Sequence, residues 1–195
     1  MIKRYLYRVV LKNKTLRADF FRYEGDLTWK SFKRSFRNPG FHFTIYLRLS
    51  TELSKYSLLG MFARLKYRNL TYKYMYQIPR LTKIGKGLQI SHFGTCLVHT
   101  KAVFGENCYF SHNIAVGISK RGTNKGVPTI GNRVWIGANA IVMGNITIGD
   151  DVLIAGNSFL NVDVPAHSIV LGNPAKIIPR EHATEDYIIN VYEGQ

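Results

Sequence analysis

Two histidines define the chemistry this chain can do. His92 stands in Ile90-Ser91-His92-Phe93-Gly94-Thr95 and His112 in Phe110-Ser111-His112-Asn113. A neutral imidazole is a base strong enough to draw a proton from a hydroxyl near pH 7. Around both, an aliphatic or aromatic residue returns at almost every sixth position: Ile84, Ile90, Val98, Phe104, Phe110, Val116, Ile130, Ile136, Val142, Ile148, Ile154 and Leu160. In that count His92 is the third residue of its hexad, and His112 is the third residue of the hexad three later. The same column then runs on to Ala138 and Gly156, so two imidazoles are followed by two residues with almost no side chain. This describes a basic group beside a groove floored by small residues.

A period of six positions these residues on a prism. Each flat face takes one short strand, and three hexads complete one coil. Small residues after the apolar ones, as in Ile84-Gly85, Ile130-Gly131 and Ile148-Gly149, suit a chain that bends at every sixth step. Stacked coils at roughly 4.8 Å pair every backbone group with the coil above or below, which makes a parallel β-helix. The twelve hexads give four coils. The beat breaks twice inside them: two extra residues lie between Ile90 and Val98, and Gly117 to Thr129 holds an excursion carrying Lys120, Arg121 and Lys125. Loops on a rigid scaffold are where function concentrates. A groove floored by small residues can receive a thin, flexible ligand, held by backbone groups.

Ile84-Gly85-Lys86-Gly87, Ile90-Ser91-His92, Pro128-Thr129-Ile130-Gly131, Ile136-Gly137-Ala138-Asn139-Ala140 and Gly172-Asn173-Pro174-Ala175-Lys176 resemble the hexapeptide-repeat acyltransferases over residues 77–178. The wording is similar to the serine acetyltransferase branch and to the bacterial capsule and exopolysaccharide O-acetyltransferases related to it. That resemblance implies a left-handed coil, acetyl-CoA as acetyl donor, no metal, and a homotrimer with acetyl-CoA in clefts between prisms. It implies His92 as general base and a region around Lys176 and Arg180 that meets coenzyme A. His112, beside His92 by the count of hexads, can share the proton work, orient the acceptor or fill the interface. Gly117, in a glycine-bearing turn, can offer its N–H to the oxyanion, and Lys120 can meet coenzyme A phosphates. Cofactor contacts are therefore expected at Gly117, Lys120, Ala138, Gly156 and Lys176.

Three positions depart from the serine enzymes: Gln77 and Ser91 stand where they carry acidic residues, and Val127 where they carry a second histidine. A free amino acid needs charged partners, whereas a sugar hydroxyl asks only for hydrogen bonds and stacking. The acceptor expected on this ground is a sugar of a surface polysaccharide or its precursor, with serine O-acetyltransferase as the alternative and a non-catalytic trimeric scaffold as a second. A zinc-dependent relative on the same prism would need three interface histidines at a spacing not found here. His99 is read as structural, and His42, His167 and His182 give no functional signal.

Composition bounds the rest. The chain has 195 residues, 46% hydrophobic, and a mean hydropathy of −0.10, as in soluble globular proteins. Two cysteines, Cys96 and Cys108, are too few for a disulfide framework and fit a reducing compartment. With no signal peptide or transmembrane run visible, a cytoplasmic protein is expected. The net charge of +15 is concentrated in residues 1–75, which hold 17 Lys and Arg against 4 Asp and Glu. A boundary is therefore expected near residue 76: a basic, aromatic-rich helical region over 1–75, the β-helix over 76–178 and a tail over 179–195. Within the first, a helix capped by Asp26 or Thr28 reaches Arg37 and stops at Asn38-Pro39-Gly40. Helices follow over Phe41 to about Tyr56 and Leu58 to about Tyr74, and residues 1–25 read as an extended arm. The basic region is either a helical cap with solvated charges, a peripheral contact with the anionic inner face of a membrane, or a binder of acidic polysaccharide. No nucleic-acid motif accompanies it.

Overall fold

A computed structural model describes residues 2–192. Five helices come first: α1 (Ile2–Lys12), α2 (Lys14–Glu24), α3 (Trp29–Ser35), α4 (Pro39–Glu52) and α5 (Leu58–Tyr74). Residues 1–25 are thus not an extended arm. The Asn13 side chain accepts a hydrogen bond from the Leu16 N–H and starts α2, while Gly25, left-handed at φ 73°, ends it. Leu6, Val10, Leu16 and Phe20 are buried in these two helices. The charged residues between them hide that apolar stripe from a simple reading of periodicity. Thr28 caps α3 as expected. Asn38-Pro39-Gly40 both ends one helix and starts the next, because Asn38 caps the Gly40 N–H and Pro39 fits the first turn of α4.

Fifteen short strands follow: β1 (Tyr76–Gln77), β2 (Lys83–Ile84), β3 (Gln89–Ile90), β4 (Cys96–Val98), β5 (Val103–Phe104), β6 (Tyr109–Phe110), β7 (Ile114–Gly117), β8 (Thr129–Ile130), β9 (Val134–Ile136), β10 (Ile141–Met143), β11 (Thr147–Ile148), β12 (Val152–Ile154), β13 (Phe159–Leu160), β14 (Ser168–Leu171) and β15 (Lys176–Pro179). They lie in three parallel faces ordered β1-β4-β7-β10-β13, β11-β8-β5-β2 and β15-β14-β12-β9-β6-β3. Among these fifteen strands, β15 alone folds back antiparallel, on β14. This is a parallel β-helix of four complete coils with partial turns at both ends. The apolar beat points inward along its length, from Ile90 and Phe110 to Ile154 and Leu160; only Ile84, at the open end, is half-buried.

The corners are turned by residues in the left-handed region. Asn107, Arg133, Asp151 and His167 stack at one corner and Asn113, Asn139 and Asn157 at another, with φ between 50° and 60°. Asparagine and aspartate tolerate that conformation better than other side chains. At these two corners the asparagine or aspartate is therefore a folding signal, beside the small residue of the hexad.

The helical region and the prism share one hydrophobic cluster running from Leu6 to Val170. A buried ion pair joins them. Asp19, fully buried on α2, accepts from Arg48 Nε (2.9 Å) and Nη2 (3.2 Å) and from the Leu88 N–H (2.8 Å). Arg48 on α4 also donates to the carbonyls of Ile84 and Gly85, each at 2.6 Å. Gly40 packs directly on β3, where any Cβ would lie 1.8 Å from the Ile90 carbonyl oxygen. The segment after β15 returns to the prism: buried Asp151 accepts from the backbone of Ala183 and Thr184, the Thr184 hydroxyl and His167 Nδ1. Hydrogen bonds from Thr184, His167 and Ala183 outweigh the burial that would raise its carboxyl, and hold it below the usual range.

Candidate active site

The site begins where β3 ends. Gln89 pairs with Tyr109 and Ile90 with Phe110, so register places His92 beside His112. Their rings meet edge to face, with centroids 5.8 Å apart and planes at 87°. The column continues as counted: the Asn139 N–H bonds to the His112 carbonyl, and the Asn157 N–H to the Ala138 carbonyl. A Cβ at Gly156 would lie 3.0 Å from the Ala138 oxygen, so the strip above the histidines is as flat as a backbone allows.

His92 is exposed at the tip of the two-residue bulge, with Phe93 beside it at 73% exposure. Its backbone is fixed by the buried Tyr76 ring, whose hydroxyl donates to the His92 carbonyl at 2.8 Å. Burial pushes the Tyr76 phenol well above its ordinary value, so it stays a donor. Gly94, at φ 137°, lets the bulge pass over His112, where an added Cβ would stand 3.2 Å from the His112 Cβ. His112 is half-buried, and its Nδ1 has no hydrogen-bond partner among the described residues. Sequence reasoning placed both histidines but missed Tyr76, whose signal is an aromatic residue opening the first strand of the prism.

The other expected residues lie elsewhere on the chain. Gly117 ends β7, at the far edge of the face that begins just past the corner after His112. A Cβ there would meet the Met143 sulfur at 2.9 Å. The excursion after it closes as a small hairpin, Ser119 pairing antiparallel with Gly126. It is pinned to the upper coils by Asn124, whose amide donates to the Asn161 carbonyl and whose carbonyl accepts from the Asn145 N–H. Lys120 is exposed on this hairpin, beside a cavity of about 280 Å³ lined by Ser119, Arg121, Met143 and Phe159. Lys176 is exposed at the top of the histidine column, paired with Leu171. One chain therefore brings His92, His112, Ala138 and Gly156 together and holds Gly117 and Lys120 on a separate edge.

Cys96 and Cys108 are buried free thiols pushed up to about 12 by burial, which makes them packing residues and not nucleophiles. Among the described residues, no group of three His, Cys, Asp or Glu side chains is arranged to hold a metal ion.

Comparison with known proteins fits this geometry. The bacterial transferase hexapeptide family (six repeats) matches residues 128–161. Serine acetyltransferase of Helicobacter pylori (strain ATCC 700392 / 26695) is 32% identical over 143 residues, 73% of this chain and 83% of the relative. Serine acetyltransferase 4 of Arabidopsis thaliana is 36% identical over 96 residues, 49% of this chain. The chain spans only 27% and 38% of the length of two plant relatives, serine acetyltransferases 4 and 2 of Arabidopsis thaliana.

Among solved structures, Neisseria gonorrhoeae serine acetyltransferase in complex with serine overlays with a TM-score of 0.67 at 30% identity, covering 89% of this chain and 73% of that one. Serine acetyltransferase of Brucella abortus strain S19 in complex with coenzyme A gives 0.70 at 28% identity, covering 91% and 74%.

These relatives overturn the sugar acceptor expected above. That expectation weighed three side chains, Gln77, Ser91 and Val127, against the whole chain. The match to serine acetyltransferases extends through the helical region as well as the prism, and the relatives and solved structures named above are all serine acetyltransferases. Loss of a charge at three positions does not by itself change the acceptor class, because charged contacts can come from other residues or a neighbouring chain. By fold, repeat and alignment, the chain belongs to the serine acetyltransferase family of hexapeptide-repeat transferases.

Proposed function

We propose that this protein is an acetyl-CoA-dependent serine O-acetyltransferase in which His92 is the general base. The observation that carries it is the perpendicular His92–His112 pair at the foot of the flat Ala138–Gly156 strip. The likeness to serine acetyltransferases solved with serine and with coenzyme A supports the two substrates.

The imidazole of His92 removes the serine hydroxyl proton as the oxygen attacks the thioester carbonyl carbon. The tetrahedral intermediate collapses with cleavage of the C–S bond, and the imidazolium returns its proton to the departing thiolate, leaving O-acetylserine and free coenzyme A. Backbone N–H groups stabilise the oxyanion, with Gly117 the proposed donor. The small side chains of Ala138 and Gly156 leave room for the pantetheine arm, and Lys120 and Lys176 face the phosphates.

This assignment needs a second chain. Leu97, Ala115, Ile141 and Phe159 are register neighbours forming an outward apolar row between the histidine edge and the Gly117 edge. A trimer covering that row would set the Gly117 and Lys120 edge of one prism against the His92 edge of the next. The test is mass-spectrometric detection of O-acetylserine from L-serine and acetyl-CoA. Absence of product from protein that binds acetyl-CoA would reject the reading.

A further inference from the structure

The helical region carries a surface that acetyl transfer does not use. α1, α4 and α5 enclose an apolar groove of about 390 Å³ whose walls include Tyr5, Tyr46, Leu49, Leu59 and Phe62. Beyond it α5 leaves Leu58 (85% exposed), Met61 (56%) and Leu65 (48%) facing solvent. Contiguous apolar exposure of this kind marks an interaction surface.

Its rim is cationic in a particular way. Lys66 Nζ lies 5.6 Å from the centroid of Phe62, Lys73 Nζ 5.4 Å from that of Tyr74 and Lys3 Nζ 5.4 Å from that of Phe36. All three surround His42 on α4, which packs on Phe36 at 4.5 Å and on Tyr46 at 5.6 Å and bonds to the Tyr74 hydroxyl. Burial and then these same lysines lower His42 to about 4, so it is neutral near pH 7. The two outer helices, α1 and α5, hold eight Lys and Arg and no Asp or Glu.

We propose that the α1/α4/α5 face docks on an anionic phospholipid bilayer, with acyl chains in the Tyr5–Phe62 groove and headgroup phosphates on Lys3, Lys66 and Lys73. The juxtaposition of an open apolar groove with ring-seated lysines at its rim matches the boundary between acyl chains and headgroups. A second copy of this chain fits poorly, since the same eight cations would face themselves. No helix among the described residues is long and apolar enough to cross a membrane, so the contact is peripheral.

The experiment is sedimentation of the full chain with vesicles of phosphatidylglycerol and phosphatidylcholine, against pure phosphatidylcholine. Circular dichroism confirms that each variant is folded. Binding is expected on the anionic vesicles alone, weakened by salt. Lys66→Gln/Lys73→Gln is expected to weaken it about thirty-fold, from roughly five-fold per lysine, and Phe62→Ser at least about ten-fold through lost apolar burial. Indifference to lipid charge, or no binding at all, overturns the proposal. In lipid-free sedimentation velocity, an assembly larger than the trimer that is lost in Phe62→Ser, without vesicle binding, would assign the groove to a second copy.

Discussion

The contact between Gly40 and Ile90 couples the stability of the helical region to the position of His92, and the change that tests it is Gly40→Ala. Helix propensity alone favours alanine over glycine by up to about 1 kcal/mol. The packing says the opposite. An added Cβ would stand 1.8 Å from the Ile90 carbonyl oxygen, 2.7 Å from its carbon and 2.8 Å from the Ile90 Cβ. Ordinary carbon–oxygen contacts begin near about 3.3 Å, so α4 and β3 must part by about 1.5 Å.

Neither partner can yield by a rotamer change, because the obstacle is backbone. That backbone is also held by Tyr23, whose hydroxyl donates to the Ile90 carbonyl and accepts from the Ile90 N–H. Overpacking of a close-packed interior costs about 3 kcal/mol at its upper range. The net loss, after the propensity gain, is about 2 kcal/mol. For a chain of this size that lowers Tm by about 4–8 °C. Because Ile90 is two residues before His92, serine-dependent release of coenzyme A should fall as well. A variant with unchanged or higher Tm and full activity would show that α4 does not set the place of β3.

Other expectations follow from the same contacts. Asp19→Ala leaves Arg48 buried against the prism without its counter-ion and should cost about 3–5 kcal/mol by urea unfolding. His42, lowered to about 4 by burial and then by Lys73, Lys66 and Lys3, binds more protons unfolded than folded between that value and the ordinary 6.5 or so. Stability is thus full above pH 6.5 and lost as pH falls towards 4. After a discount for partial exposure it amounts to about 1–2 kcal/mol, and the slope should flatten in His42→Phe. Gly156→Val raises a branched side chain over the Ala138 oxygen, so KM for acetyl-CoA should rise with little change in Tm.

The prism was legible because its code is local. Every apolar residue of the beat points inward, and counting by hexads placed His92, His112, Ala138 and Gly156 in one column without any knowledge of the structure. The first two helices were not legible. Their apolar face is split by Arg4, Arg8 and Arg17, and it becomes evident only once Leu6, Val10, Leu16 and Phe20 are seen to meet the rest of the core. Tyr76 was hidden for a similar reason: its hydrogen bond to the His92 carbonyl spans sixteen residues. The acceptor was misread because three missing charges were weighed alone, although an amino-acid substrate can be held by residues from another edge of the prism or another chain.

The central claim is that His92 removes the proton from the serine hydroxyl, and thiol release from acetyl-CoA measures it most directly. With L-serine, the wild-type protein should release coenzyme A. His92→Ala should still bind acetyl-CoA, keep its Tm and show a loss of at least about a hundred-fold in kcat, the lower range for general-base catalysis. Undiminished serine-dependent release by His92→Ala would contradict the account.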